Sequence, residues 1–181
     1  MERMENGFTL IEALIAMLIV AIGLGIAVPA YSNVAAATHT GAAQVQLGES
    51  LVAALDHAIV TQADVIVCSS SDGAGCSGSV DWSQGWIAFA DVDGNRTHGT
   101  GETLLRRQPP LDGGTHLRST AQRTRILFQP HGGSSAGSNV TFTICDRRGP
   151  AKAVTLVLAN SGRLRQGQPT AAAAQQCVAS L

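Results

Sequence analysis

The 181 residues leave room for one domain beyond a membrane helix. The composition is 45% apolar with 20 glycines and only 4% aromatic residues, which calls for a packed core and excludes a disordered chain. The net charge of −1 conceals a division: residues 1–117 carry four Lys/Arg against twelve Asp/Glu, a balance of −8, whereas residues 118–181 carry eight against Asp146 alone, a balance of +7. Such asymmetry points to a face that meets an anionic partner, the other reading being that the two halves neutralise each other on folding.

The chain opens on a short polar segment, Met1 to Asn6, followed by Gly7-Phe8, one acid at Glu12 and an uninterrupted apolar run from Ala13 to Ala30. As a helix rising about 1.5 Å per residue, roughly 20 such residues cross a hydrocarbon core of about 30 Å. Secretory signals place a small-residue cleavage site after the apolar stretch, but here the junction of interest is the switch from polar to apolar before it. An ionised acid at membrane depth costs about 2.5 to 3.5 kcal/mol, so Glu12 needs a functional reason or a partner. Past Pro29, Leu47, Leu51, Leu55 and Ile59 recur every four residues, with Val45 and Val52 beside them. One helix is therefore predicted from Phe8 to about Thr61, spanning the membrane over 8–30 and amphipathic over 31–62.

From residue 63 the pattern changes to short strands between Gly-rich turns. The predicted strands are Val65 to Cys68, Trp86 to Ala90, Thr103 to Arg106, Arg125 to Gln129, Val140 to Cys145, Val154 to Ala159 and a short one at Arg163 to Arg165. Turns fall at Asp72-Gly73, Asp93-Gly94, Asp112-Gly113-Gly114 and His131-Gly132-Gly133. One N-terminal helix followed by an antiparallel meander is an α+β arrangement, with a globular β-rich head over 63–181.

The segment from Asp91 to Glu102 imitates a calcium loop, with acids or amides at relative positions one, three, five and twelve. Arg96 stands where such a loop needs glycine, so a hairpin turn is the expected reading and no metal site is assigned. Cys68, Cys76, Cys145 and Cys177 form no CxxC pair and have no histidine at ligand spacing, which argues against zinc. In an exported domain they imply two disulfides, for which sequence permits three connectivities. The favoured set is Cys68–Cys76, closing a Ser/Gly-rich loop, with Cys145–Cys177, fastening a C-terminal tail to a strand. The five histidines are scattered, no nucleophile elbow occurs, and neither an enzyme nor a cofactor is expected.

Arg163 and Arg165, in Ser161-Gly162-Arg163-Leu164-Arg165, fall on one face of an extended strand with Leu164 turned inward. Two adjacent guanidiniums grip successive phosphates, and the lack of nearby aromatics points to sequence-blind backbone contact rather than base stacking. Arg147, Arg148 and Lys152, before the preceding strand, are expected to flank the same patch. The bland reading of the Arg pair is a solvated surface feature.

The order of motifs now becomes specific. Gly7-Phe8 with Glu12 resembles the class III signal of type IV pilins and pseudopilins. Trp82-Ser83-Gln84-Gly85-Trp86, Phe89-Ala90-Asp91, Gly101 to Arg106, Phe128 to Gly132, Thr141 to Asp146 and Ser161 to Arg165 follow in the order seen in the GspH/FimT family of minor pilins and pseudopilins. The resemblance implies the type IV pilin fold: a long helix, membrane-spanning in its first half, packed on an antiparallel sheet head. It implies a leader over 1–7, cut by a prepilin peptidase after Gly7, an N-methylated Phe8, and a Glu12 that meets the N-terminal amine of a neighbouring subunit. It further implies a bacterial single-pass inner-membrane protein with a periplasmic head, assembling with other pilin subunits into an extracellular filament. The FimT branch carries the same GRxR element and is associated with binding double-stranded DNA for natural transformation. The GspH branch implies instead a pseudopilin that initiates the filament of a type II secretion system.

Mass spectrometry of the membrane-extracted protein is expected to find Phe8 as the N-terminal residue, methylated. An intact Met1, or a chain beginning after Pro29, overturns this reading of the N-terminus.

Overall fold

The computed structural model describes residues 8–135 and 138–180. Helix α1 runs Leu10–Thr61, and its first turn is closed by Thr9, whose Oγ1 accepts the Glu12 N–H at 3.3 Å. This side-chain acceptor satisfies one of the amides that a helix N-terminus leaves without a partner. The chain divides into two compact units, one ending at Ala35 and the other beginning at Ala36.

In the first unit the apolar side chains lie on every face of the helix and are exposed, Leu10 at 80% and Ile26 at 69%. The helix is long and apolar enough to cross a membrane. Pro29 sits inside it, and the Ser32 hydroxyl donates to the Pro29 carbonyl at 2.9 Å.

In the second unit one face of α1 is buried, and it holds Leu47 and Leu51 of the predicted face, with Leu55 packed at its margin. Ala36, Thr40, Ala43, Leu47, Leu51, Ala54 and Ala58 form the buried stripe, while Val45, Val52 and Ile59 are exposed. Steps of four in a helix of 3.6 residues per turn drift by about 40° each, so Leu55 reaches the margin and Ile59 leaves the core. Alternating steps of three and four hold the stripe straight. Its small side chains let the helix backbone lie close to the strands.

Strands β1 (Asp64–Ser69), β2 (Trp86–Asp91), β3 (Leu104–Gln108) and β5 (Arg125–Phe128) form one four-stranded sheet, in the order β3-β2-β1-β5. Strands β4 (His116–Ser119), β6 (Val140–Cys145), β7 (Val154–Leu158) and β8 (Leu164–Gly167) form a second, in the order β4-β6-β7-β8. Every pairing is antiparallel, but the chain passes between the sheets at β4 and again at β5 and β6, so it is not one simple meander. A short helix, α2 (Ala171–Val178), closes the chain; neither it nor β4 is among the predicted elements.

One core joins the α1 stripe to both sheets through Val65, Trp86, Phe128, Phe142, Ile144 and Leu156. The two tryptophans bury their rings without orphaning their donors. Trp86 Nε1 donates to Ser50 Oγ on α1 at 3.0 Å, and Trp82 Nε1 to Ser119 Oγ at 3.2 Å. Trp82 also meets Phe142 edge to face, with ring centroids 5.0 Å apart. A second cluster of Ile66, Cys68, Ile87 and Phe89 covers the far side of the first sheet, so β1 and β2 are buried on both faces.

Asp146, 1% exposed, ties α1 to the end of β6. Its Oδ2 accepts the Thr40 hydroxyl at 2.5 Å, and both oxygens accept from the Arg148 guanidinium, the shortest bond being 2.6 Å to Nη2. Burial alone would push this carboxyl upward, but the hydrogen bonds from Arg148 and Thr40 outweigh it and hold the acid at about 2. A carboxylate depressed from its ordinary 3.8 contributes stability that is complete above that value and lost as pH falls through about 2. The expected increment is about 2 kcal/mol, and Asp146→Asn should remove this acid-sensitive part of the unfolding free energy, read from denaturant curves at mildly and strongly acid pH.

Candidate nucleic-acid interface

The β7–β8 hairpin presents the arginine pair. The Gly162 N–H donates to the Ala159 carbonyl at 2.9 Å and the Ala159 N–H to the Arg163 carbonyl at 3.0 Å, closing the turn. Gly162 has φ +77°, and a Cβ there would stand 2.7 Å from Leu55 Cδ2 of α1. The left-handed backbone favours glycine immediately before Arg163, and the Leu55 methyl would have to turn aside for any larger residue. Leu164 is half-buried against the core, and Arg163 and Arg165 on either side of it are exposed. Neither guanidinium makes a hydrogen bond or ion pair among the described residues.

The register across the second sheet sets what lies beside them. Arg165 pairs with Val157, which pairs with Thr141; two residues along, Gly167 pairs with Thr155, then Thr143, then Arg118 on β4. Period-two alternation turns this set away from the core, whose side of the sheet is filled by Phe142, Ile144 and Leu156. Together with the tail around Pro169 and α2, these residues line an open groove of about 600 Å³. Among the described residues no carboxylate and no aromatic ring lines it. Arg123 stands at a shallower hollow that continues the groove through Thr120, Thr141 and Val157, its Nε donating to the Asn139 carbonyl at 3.1 Å.

The other basic residues are placed elsewhere. Arg147, Arg148 and Lys152 occupy the turn and the 3-10 turn (Pro150–Lys152) before β7, whereas Arg163 and Arg165 lie at the far end of β7. At about 3.3 Å per residue the strand separates the two groups by roughly 20 Å. They do not flank one patch. The Arg148 guanidinium, moreover, is spent on Asp146 and is raised further above its usual value by that hydrogen bond.

Arg118 enters the site unannounced by the sequence, where it counts only in the basic excess. Its strand alternates over just four residues, His116-Leu117-Arg118-Ser119, and Leu117 alone marks the inward face. The tail helix carried a better signal. Thr170 accepts the Ala173 N–H at 3.2 Å as its N-cap, ahead of four alanines and two glutamines.

Among the remaining predicted site residues, Gly7 lies outside the described residues and Phe8 is 79% exposed. Glu12 is exposed in the first turn of α1, where the helix dipole favours an anion. Cys68 is bonded to Cys76 and Cys145 to Cys177. The second bond packs α2 against β6, with Ala153 and Ala174 filling the space around it. In the loop after β2 the carboxylates of Asp91, Asp93 and Glu102 lie within 4.8 Å of one another. They cap the turn's own amides, Glu102 those of Val92 at 3.0 Å and Gly99 at 2.9 Å. Burial, joined by repulsion from Glu102 and Asp93, raises Asp91 above the usual carboxylate range against the Arg96 amide that lowers it.

An exposed apolar N-terminal helix and antiparallel sheets packed on the second half of α1 define a type IV pilin fold. The chain belongs to the GspH family: the family model described as type II transport protein GspH matches residues 43–162, and that of the prokaryotic N-terminal methylation motif matches residues 3–28. The fold is similar to the type IV minor pilin FimU of Pseudomonas aeruginosa strain PAO1, at 16% identity and a TM-score of 0.54 over 73% of this chain and 94% of that one. It is also similar to the minor pseudopilin EpsH of the Type 2 Secretion System of Vibrio cholerae, at 14% identity and a TM-score of 0.51 over 72% of this chain and 98% of that one. No curated protein matches the sequence significantly.

The Cys145–Cys177 bond closes a loop of 32 residues that includes β7, β8 and most of α2. Replacing both cysteines by serine should lower the unfolding free energy by roughly 3 to 4 kcal/mol on the chain-entropy model, measured by denaturant titration of the oxidised parent and the variant.

Proposed function

We propose that this chain is a minor pilin of a type IV pilus whose head binds extracellular double-stranded DNA without sequence preference, for uptake in natural transformation. The observation that carries this reading is the unpartnered pair Arg163 and Arg165 on the outward face of β8, beside a groove that contains no acid. Guanidiniums in such a setting contact phosphates, and among the described residues no aromatic ring lines the groove to stack on bases. The molecule contacts few phosphates, so affinity on the order of 10⁻⁴ to 10⁻⁶ M is expected.

Assembly follows from the other side of α1. Val45, Val52 and Ile59 recur every seven residues on the exposed face and, with the apolar first unit, suit packing against the helices of neighbouring subunits. Glu12 at the helix start is proposed to meet the N-terminal amine of such a neighbour, after a prepilin peptidase has cut at Gly7. In this reading the prepilin is anchored in the inner membrane with its head in the periplasm, and the role is binding and assembly rather than catalysis. A purely structural pseudopilin of a type II secretion system is the second reading, favoured by the family description and by the likeness to EpsH.

A fluorescence titration of the full chain in nonionic detergent with a labelled duplex decides between them. Arg163→Gln with Arg165→Gln should remove most binding while leaving the thermal midpoint unchanged, because exposed arginines contribute little to stability. Unchanged binding by the double variant moves the site elsewhere. Absence of binding by the parent at low salt leaves the structural pseudopilin.

A further inference from the structure

Arg165 does not stand alone at the edge of the second sheet: the register places Arg118 on the same face at the opposite edge. Between them Thr143 and Thr155 are buried beneath the groove, 6% and 2% exposed, so the polar groups offered at its surface are Thr141 on β6 and the amides of Gln168 and Gln176 on the rim. Arginine, threonine and glutamine side chains are among the groups that contact phosphate and sugar. From β4 to β8 is three strand spacings, about 14 Å at about 4.8 Å each. Along a ridge that winds around the helix axis, neighbouring phosphates lie farther apart than the axial rise of about 3.4 Å, so this span reaches roughly two or three of them.

We propose that the groove across β4, β6, β7 and β8 is a track for one sugar–phosphate ridge of duplex DNA, with Arg118 as its far anchor and Arg165 as its near one. This rests on the DNA-binding reading above and adds to it a residue, a direction and a boundary. The ridge runs across the strands instead of along the β8 edge, and the tail between Gln168 and Gln176 forms its wall. Charge complementarity chooses the occupant: the guanidiniums of Arg118, Arg163 and Arg165 make no ion pair or hydrogen bond among the described residues, and Arg123 adjoins the group. Asp81, opposite Arg118 across an isolated bridge, accepts the Ser83 amide through Oδ1, and among the described residues no carboxylate lines the groove or the hollow that continues it. With no aromatic ring in reach, unstacked bases of a single strand have nothing to rest on.

The test is duplex binding by the full chain in nonionic detergent, followed by fluorescence anisotropy over a series of salt concentrations. Arg118→Gln should weaken binding about three- to ten-fold and reduce the slope of log K against log salt by about one, as loss of one phosphate contact does. Arg118→Lys should retain the slope. Arg107→Gln, which removes the same charge from β3 of the other sheet, should change neither; a loss equal to that of Arg118→Gln would show a general field effect and overturn the track. If the Arg163/Arg165 double variant loses binding while Arg118→Gln binds as the parent does, the track is wrong and the DNA reading stands. A parent that binds no duplex at low salt overturns both. Thermal unfolding checks that Arg118→Gln remains folded, and the Lys variant keeps the comparison usable if it does not.

Discussion

The second unit depends on one stripe of small side chains along α1. Ala36, Thr40, Ala43, Leu47, Leu51, Ala54 and Ala58 are spaced so that one straight line of the helix stays against the strands. Both sheets close over that line, each contributing large apolar residues to a single core. The polar atoms allowed into this interface are satisfied from across it: Ser50 by Trp86, and Thr40 by Asp146. Buried hydroxyls and a buried carboxylate would otherwise cost more than they return. They therefore fix where along the helix each sheet sits, which apolar contact alone does not specify.

The inner face of the second sheet is committed to α1 and α2 packs on the outer face at the Cys145 end, so the part of the outer face toward Thr141 and Arg165 is what remains open. The division of charge along the sequence is expressed there. Arg118, Arg123, Arg163 and Arg165 come from three separate stretches of the basic half and meet at one face, while the half's only acid, Asp146, is buried at the other end of the sheet on Arg148. The ion pairs Arg106 with Glu49 at 3.3 Å and Arg148 with Asp146 at 2.6 Å each lie within one half, so neither neutralises one half with the other. The basic excess survives folding as a local field.

What the sequence makes legible is what has a period or a name. The apolar run, the long helix, seven of the eight strands to within two residues and the Arg163/Arg165 face follow from patterns that local geometry enforces. The misses share a cause. Strand β4 is four residues long, too short for alternation to register, and it exists because β6, more than twenty residues away, gives it a partner. The buried face of α1 is legible at Leu47, Leu51 and Leu55 but not at its alanines, which carry little weight in an apolar count, and Val45, Val52 and Ile59 lie exposed instead of completing it. Arg148 looked like a surface cation until the fold brought Asp146 and Thr40 to it. Groove residues drawn from β4, β6, β7, β8 and the tail have no common sequence signal, since only the register assembles them.

The Cys145–Cys177 bond has a mechanical meaning beyond its effect on equilibrium. It turns the chain from the end of β6 to the end of α2 into a covalent ring, and β8, the edge strand that carries Arg165, lies inside that ring. A tension applied at the outer edge of β8 is opposed by the hydrogen-bond ladder to β7, which unzips one rung at a time when pulled from an end. Once it has unzipped, slack ends at the ring: the load passes through the sulfur bridge into β6, a strand held between two neighbours and backed by the core. Traction on the edge is thus carried to the centre of the sheet without paying out the rest of the chain.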